Sequence, residues 1–126
     1  MTVPKRDRVL VPVTILSGQS LSAEVNVGSM EIVGVQMPAG WDAAGLALQA
    51  ATRSTVGPPN VATFGNVIDI AGVALPLATA PLLDTYVALA PTAAFVGLGR
   101  VKVRSGTNAV PVNQTANRDF FLVCLT

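Results

Sequence analysis

Hydrophobic and polar residues alternate along much of this chain with a period of two. In "SLSAEVNV", Leu21, Ala23, Val25 and Val27 fall on one side and Ser20, Ser22, Glu24 and Asn26 on the other. That pattern predicts a strand with one face against a core. "RVLVPVTIL" ahead of it is extended too, and Pro12 places it at a sheet edge or a bulge, because proline has no N–H for a ladder. "LSGQS" between them is a turn, with Gly18 able to take a positive φ. "MEIVGVQM" reads as a strand stopped by Pro38, "AGWDAAG" as a loop or single helical turn, and "LALQAAT" as renewed alternation. "VGPPN" is a rigid loop, and weaker strands are expected at 61–64, 67–70 and 73–78. "DTYVALA" is a strand ended by Pro91, "RVKVR" is the next, and "DFFLVCLT" follows as the last.

Eleven Gly and nine Pro interrupt almost every helical window. Short strands separated by turn signals predict an all-β fold, an antiparallel β-sandwich or jelly roll forming a single domain over residues 8–126. Residues 1–7, with Lys5, Arg6 and Asp7, are expected as an N-terminal arm.

Two strands stand apart from the rest. In "GRVKVRSGT", Arg100, Lys102 and Arg104 share one face while Val101 and Val103 point to the core. A solvated or interface-facing strand is the expected reading, since none of the six aromatic residues alternates with the basic face. In the last strand Phe120, Leu122 and Cys124 lie on one side and Phe121, Val123 and Leu125 on the other, so both faces are apolar. A two-layer sandwich should show one face to water. A loop or another subunit must therefore cover the second face, and another subunit is favoured.

Composition points the same way. Hydrophobic residues make up 51% and charged residues 12%, against about 25% charged in an ordinary soluble domain. No apolar run approaches the roughly 20 residues that span a bilayer, and "AGVALPLATAPLL" is broken by Pro76 and Pro81. The surplus apolar surface is expected to be buried against other chains, with a homotrimer as the expected assembly. A net charge of +1 supplies no field for nucleic acid or acidic lipid, so neither a nucleic-acid nor a membrane partner is expected. No proline-free apolar stretch with a small-residue cleavage site follows the first basic residues, so no signal peptide is expected.

Candidate chemistry is sparse. There is no histidine, which rules out histidine-based triads and metal sites. The single Cys124 rules out an intrachain disulfide and is expected to be a buried, unreactive thiol. No two acidic residues lie within four positions of each other. "GLGR" has no complete phosphate-loop pattern and leads into a strand, so it reads as a turn. No catalytic, cofactor-binding or metal-binding residue is expected, and the chain is not expected to be an enzyme.

Three segments, "SGQSLSAEVNVGSMEIVGVQMPAGWDAAGLALQA", "YVALAP" and "VKVRSGTNAVPVNQTANRDFFLV", occur in an order that resembles a group of small β-rich virion proteins of tailed bacteriophages. The resemblance covers most of the chain, while residues 53–80 depart from it. It implies a structural part of a particle, first of all a capsid decoration or cement protein. Such a protein sits outside the head, clamps major-capsid subunits, and is made in the host cytoplasm. A tail, head-fibre or head–tail junction component is the alternative within that group, and a carbohydrate-binding adhesion module is the alternative outside it. Expected interface residues are Trp41, Phe121, Val123, Leu125, Arg100, Lys102 and Arg104. Trp41 after "MPAG" is either an exposed anchor or a plug at the end of the core. Ser105, Gly106 and Thr107 turn the chain, and Asn113 and Gln114 are expected to satisfy backbone groups in the long loop.

Overall fold

The computed structural model describes residues 7–51, 64–67, 75–78, 83–89 and 95–126. Among them are nine strands: β1 Arg8–Ile15, β2 Val25–Gly28, β3 Glu31–Gln36, β4 Leu46–Ala51, β5 Phe64–Asn66, β6 Pro76–Ala78, β7 Tyr86–Ala88, β8 Gly99–Ser105 and β9 Arg118–Leu125. One sheet has the order β1-β9-β3-β7 and the other β2-β8-β4-β5, with β6 also on β4. Every pairing is antiparallel. β5 pairs with residues 49–51 of β4 and β6 with 46–47, so together they fill one strand position along that edge. The chain thus passes between sheets at almost every connection, in the order of a jelly roll.

Alternation sets what lies between the layers. Val11, Val13 and Ile15 of β1 point inward, as do Phe120, Leu122 and Cys124 of β9. They meet Val27, Leu46, Leu48, Val101 and Val103 from the second sheet. β1 is an edge strand, which accommodates Pro12 opposite Phe121. Gly18 takes φ of 79° in the turn after β1; Gly97 takes 67° at a bend just before β8 and Gly99 74° as its first residue, so "GLGR" bends into the strand.

The expected strand at 20–27 is only half present. β2 begins at Val25, and Ser22 is buried where Leu21 and Ala23 were expected. The cause is a hydrogen bond: the Ser22 hydroxyl accepts the Val103 N–H at 2.9 Å, while the Ser22 N–H donates to Val103 O at 2.8 Å. Ser22 turns inward to do this, and the alternation slips. "AGWDAAG" contains no helical turn. Of the weaker strands, residues 64 and 76–78 are in strands, 67 and 75 lie outside them, and 61–63, 68–70 and 73–74 lie outside the described residues. In the expected arm, Asp7 is tied to Thr126 by two backbone-mediated bonds, and residues 1–6 lie outside the described residues.

Candidate interaction surfaces

Residues paired across antiparallel strands share a side of the sheet. On the outer face of the four-stranded sheet this produces four rows. Thr14 lies beside Asp119, Pro12 beside Phe121, Leu10 beside Val123, and Arg8 beside Leu125. β3 and β7 extend the middle rows with Gln36 and Tyr86, then Gly34 and Ala88. Leu10 is 44% exposed, Phe121 39% and Tyr86 47%, a group of large apolar side chains open on a rigid sheet.

Val123, expected on the same open face, is 1% exposed. It is covered from within the chain. The Tyr86 ring reaches across β3 above Gly34, where any Cβ would collide with it. The Arg8 guanidinium stands 5.8 Å from the centre of that ring. Arg8, Tyr86, Val33 and Leu125 wall a cleft of about 390 Å³ with Val123 lining it. The second face of β9 is therefore divided: Phe121 is open, Leu125 is half-buried, and Val123 sits beneath two side chains from other strands.

The outer face of the five-stranded sheet is different in kind. Arg100, Lys102 and Arg104 lie on it as the alternation predicts, with Val101 and Val103 fully buried behind. Arg100 faces Glu24 at 3.5 Å, with both side chains more than a third exposed. Lys102 Nζ lies 4.6 Å from the centre of the Phe64 ring. Arg104 donates from Nε to Asn108 Oδ1 at 3.0 Å and from Nη1 to Ser20 Oγ at 2.9 Å. No aromatic alternates with the basic residues along β8, yet one joins this face from another strand. Alternation along one strand shows only that strand's neighbours, and β5 brings Phe64 in from across β4.

A polar staple joins the loop after β3 to the loop before β9. Gln114 is fully buried. Its Oε1 accepts from Asp42 N–H at 2.9 Å and Arg118 Nε at 3.2 Å. Its Nε2 donates to Ser105 Oγ at 2.7 Å and Asp42 O at 3.2 Å. The Asp42 carboxylate accepts from the Thr115 N–H and hydroxyl and from Arg118 Nη2, at 2.8, 3.0 and 3.0 Å. Desolvation pushes the Asp42 carboxyl up, but hydrogen bonds from Thr115 and Arg118, with the Arg118 charge, outweigh it and hold the group below its ordinary value. Gln114 satisfies backbone groups as expected, while Asp42, Thr115 and Arg118 were not anticipated. The sequence signal for Thr115 and Arg118 is the polar cluster "NQTANR" between apolar strands, and for Asp42 it is the single charge in "AGWDAAG".

Trp41 belongs to this end of the core and not to an exposed surface. It is 8% exposed, packs edge-to-face on Phe120 at 5.7 Å, and donates its indole N–H to Ala44 O at 3.1 Å. It is the plug of the two readings. Cys124 is fully buried, and that burial pushes its thiol pKa up. An apolar groove of about 530 Å³ runs beside β4 and β6, with Ala47, Leu75, Pro76, Val110 and Val112 among its walls. No group of three potential metal ligands occurs among the described residues. Comparison of the chain with protein-family models, curated proteins and solved structures finds no match.

Proposed function

We propose that the protein is a structural component of a tailed-bacteriophage virion, a decoration or cement protein that binds the outside of the head and stabilises contacts between major-capsid subunits. The observation that carries this reading is the open apolar face of the four-stranded sheet, with Leu10, Phe121 and Tyr86 exposed together. The segment resemblance supports the same role. A jelly roll alone does not choose among functions, because capsid and lectin domains share it.

The mechanism is assembly. A rigid sandwich holds its side chains in place before contact, so little ordering entropy is lost on binding. Hiding about 800 Å² of apolar surface contributes up to about 20 kcal/mol before association costs. The apolar face drives self-association, and Arg100, Lys102 and Arg104 meet carboxylates of the shell. The aromatic on the basic face, Phe64, already lies against Lys102, which disfavours its use as a sugar-stacking platform. The test is co-sedimentation of the purified chain with undecorated heads of the phage that encodes it. Saturable binding that raises the heads' thermal stability is expected. Heads that neither bind the chain nor gain stability contradict the reading.

A further inference from the structure

The outer face of the four-stranded sheet presents projections and a recess at matching positions. Its rows run, along β1 and β9, from Thr14–Asp119 through Pro12–Phe121 and Leu10–Val123 to Arg8–Leu125. Successive rows are about 6.6 Å apart. Leu10 and Phe121 project, and the cleft over Val123 is the recess. Asp119 stands at one end, where its Oδ1 accepts from the Thr14 hydroxyl at 2.6 Å; Arg8 belongs to the row at the other end, its guanidinium turned over the Tyr86 ring.

Consider a twofold axis lying in this face, across the strands, midway between the Pro12–Phe121 and Leu10–Val123 rows. Rotation about it exchanges the rows end for end. Phe121 of each copy then faces the Val123 cleft of the other, Leu10 faces Pro12, and Arg8 faces the Thr14–Asp119 pair. Strands of the two copies run aligned, as packed sheets prefer. An axis along the strands does neither: it sets Phe121 against Gln36 and leaves the cleft facing Gly34.

We infer that this face is the interface of a twofold homodimer, with a second copy of the chain as its occupant. The pairing rests on the assembly reading of this face and deepens it by naming the partner and the symmetry. A twofold interface must be complementary to itself, in shape and in charge. Here the projecting Phe121 answers a cleft walled by Val33, Tyr86, Leu125 and Arg8, and the row that carries Arg8 answers the row that carries Asp119. The charge shortage that suggested a trimer specifies no symmetry; this arrangement of rows does.

The test is sedimentation velocity of the full chain at low salt, without capsids. Wild type forms a species of twice the 12.9 kDa chain mass. Arg8→Glu or Asp119→Arg alone sets like charges together at two equivalent contacts, and each raises the dissociation constant about tenfold. The double variant Arg8→Glu/Asp119→Arg returns to within about threefold of wild type, because the swapped pair is again complementary. Phe121→Asp, an exposed position, leaves a folded monomer. A wild-type monomer at about 100 μM, where a pair of micromolar affinity is mostly associated, a trimeric mass, or a double variant no tighter than the singles overturns the pairing. The same chains are then sedimented with undecorated heads. A monomer that still binds heads overturns the pairing and leaves decoration standing, whereas a dimer that ignores heads does the reverse.

Discussion

The two outer faces of this sandwich are built on equally regular alternation, yet they differ in what they leave unfinished. On the five-stranded sheet each cation already has a companion in its own chain: Glu24 for Arg100, the Phe64 ring for Lys102, and Ser20 with Asn108 for Arg104. On the four-stranded sheet Arg8 and Tyr86 together cover Val123, and Leu10 and Phe121 beside it stay open. Polar side chains can meet water or one another, so a polar face is complete alone. An apolar face is complete only under a cover. The comparison teaches that the low charge content of this chain is not spread evenly. Among the described residues, the exposed large apolar side chains that sit in strands, Leu10, Tyr86 and Phe121, all lie on this sheet, whereas Leu16, Leu83, Val96 and Val110 are exposed outside the strands.

The largest effect is expected where both faces are lost together. Gln114→Ala strips partners from Ser105, Arg118 and the Asp42 backbone inside the staple. It should cost about 2–4 kcal/mol of stability, since buried polar groups lose their partners. Urea denaturation measures this, and a loss under about 0.5 kcal/mol would mean that the staple does not hold the loops. Gly106→Ala follows. Gly106 has φ of 94°, and an added Cβ would lie 2.5 Å from Val110 O and 2.8 Å from Val112 N, both backbone atoms. A cost of about 1–3 kcal/mol is expected by the same assay.

A graded effect comes from pH. The folded Asp42 carboxyl has a lowered pKa, so its stabilisation is complete above its unfolded value. It is lost as pH falls through the lower folded value, in the range below about pH 4. Asp42→Asn should flatten that part of the stability–pH curve. An unchanged acid limb in the variant would show that other groups control it.

The smallest effect separates the faces most sharply. Replacing Arg100, Lys102 and Arg104 with Gln should change stability by no more than about 1 kcal/mol, because exposed charges contribute little individually. It should leave self-association intact. Titration with a labelled oligonucleotide should detect no micromolar binding at physiological salt, before or after the change. Micromolar binding lost in the triple variant would make this face a nucleic-acid surface.

The legibility of this fold in its sequence follows the range of each interaction. β1, β8 and β9 are plain in the alternation because each residue's side depends only on its neighbours. Ser22 departs from the pattern because its hydroxyl bonds to Val103, 81 positions away. The cover on Val123 was invisible for the same reason. It needs Arg8, Gly34 and Tyr86 from three strands, and only the sheet order brings them together. Phe64 reached the basic face by a pairing that no single strand displays. Trp41 had two readings until Phe120 and Ala44 supplied its partners.

The central claim is that the apolar face drives self-association and the charged face does not. Sedimentation of the wild-type chain beside its Phe121→Asp and triple-Gln variants tests it most directly. Association that survives in the triple-Gln variant and is lost in Phe121→Asp, which sediments as a folded 12.9 kDa monomer, is the predicted result. A wild type that is itself a monomer, alone and on heads, or association lost in the triple variant and kept in Phe121→Asp, would contradict it.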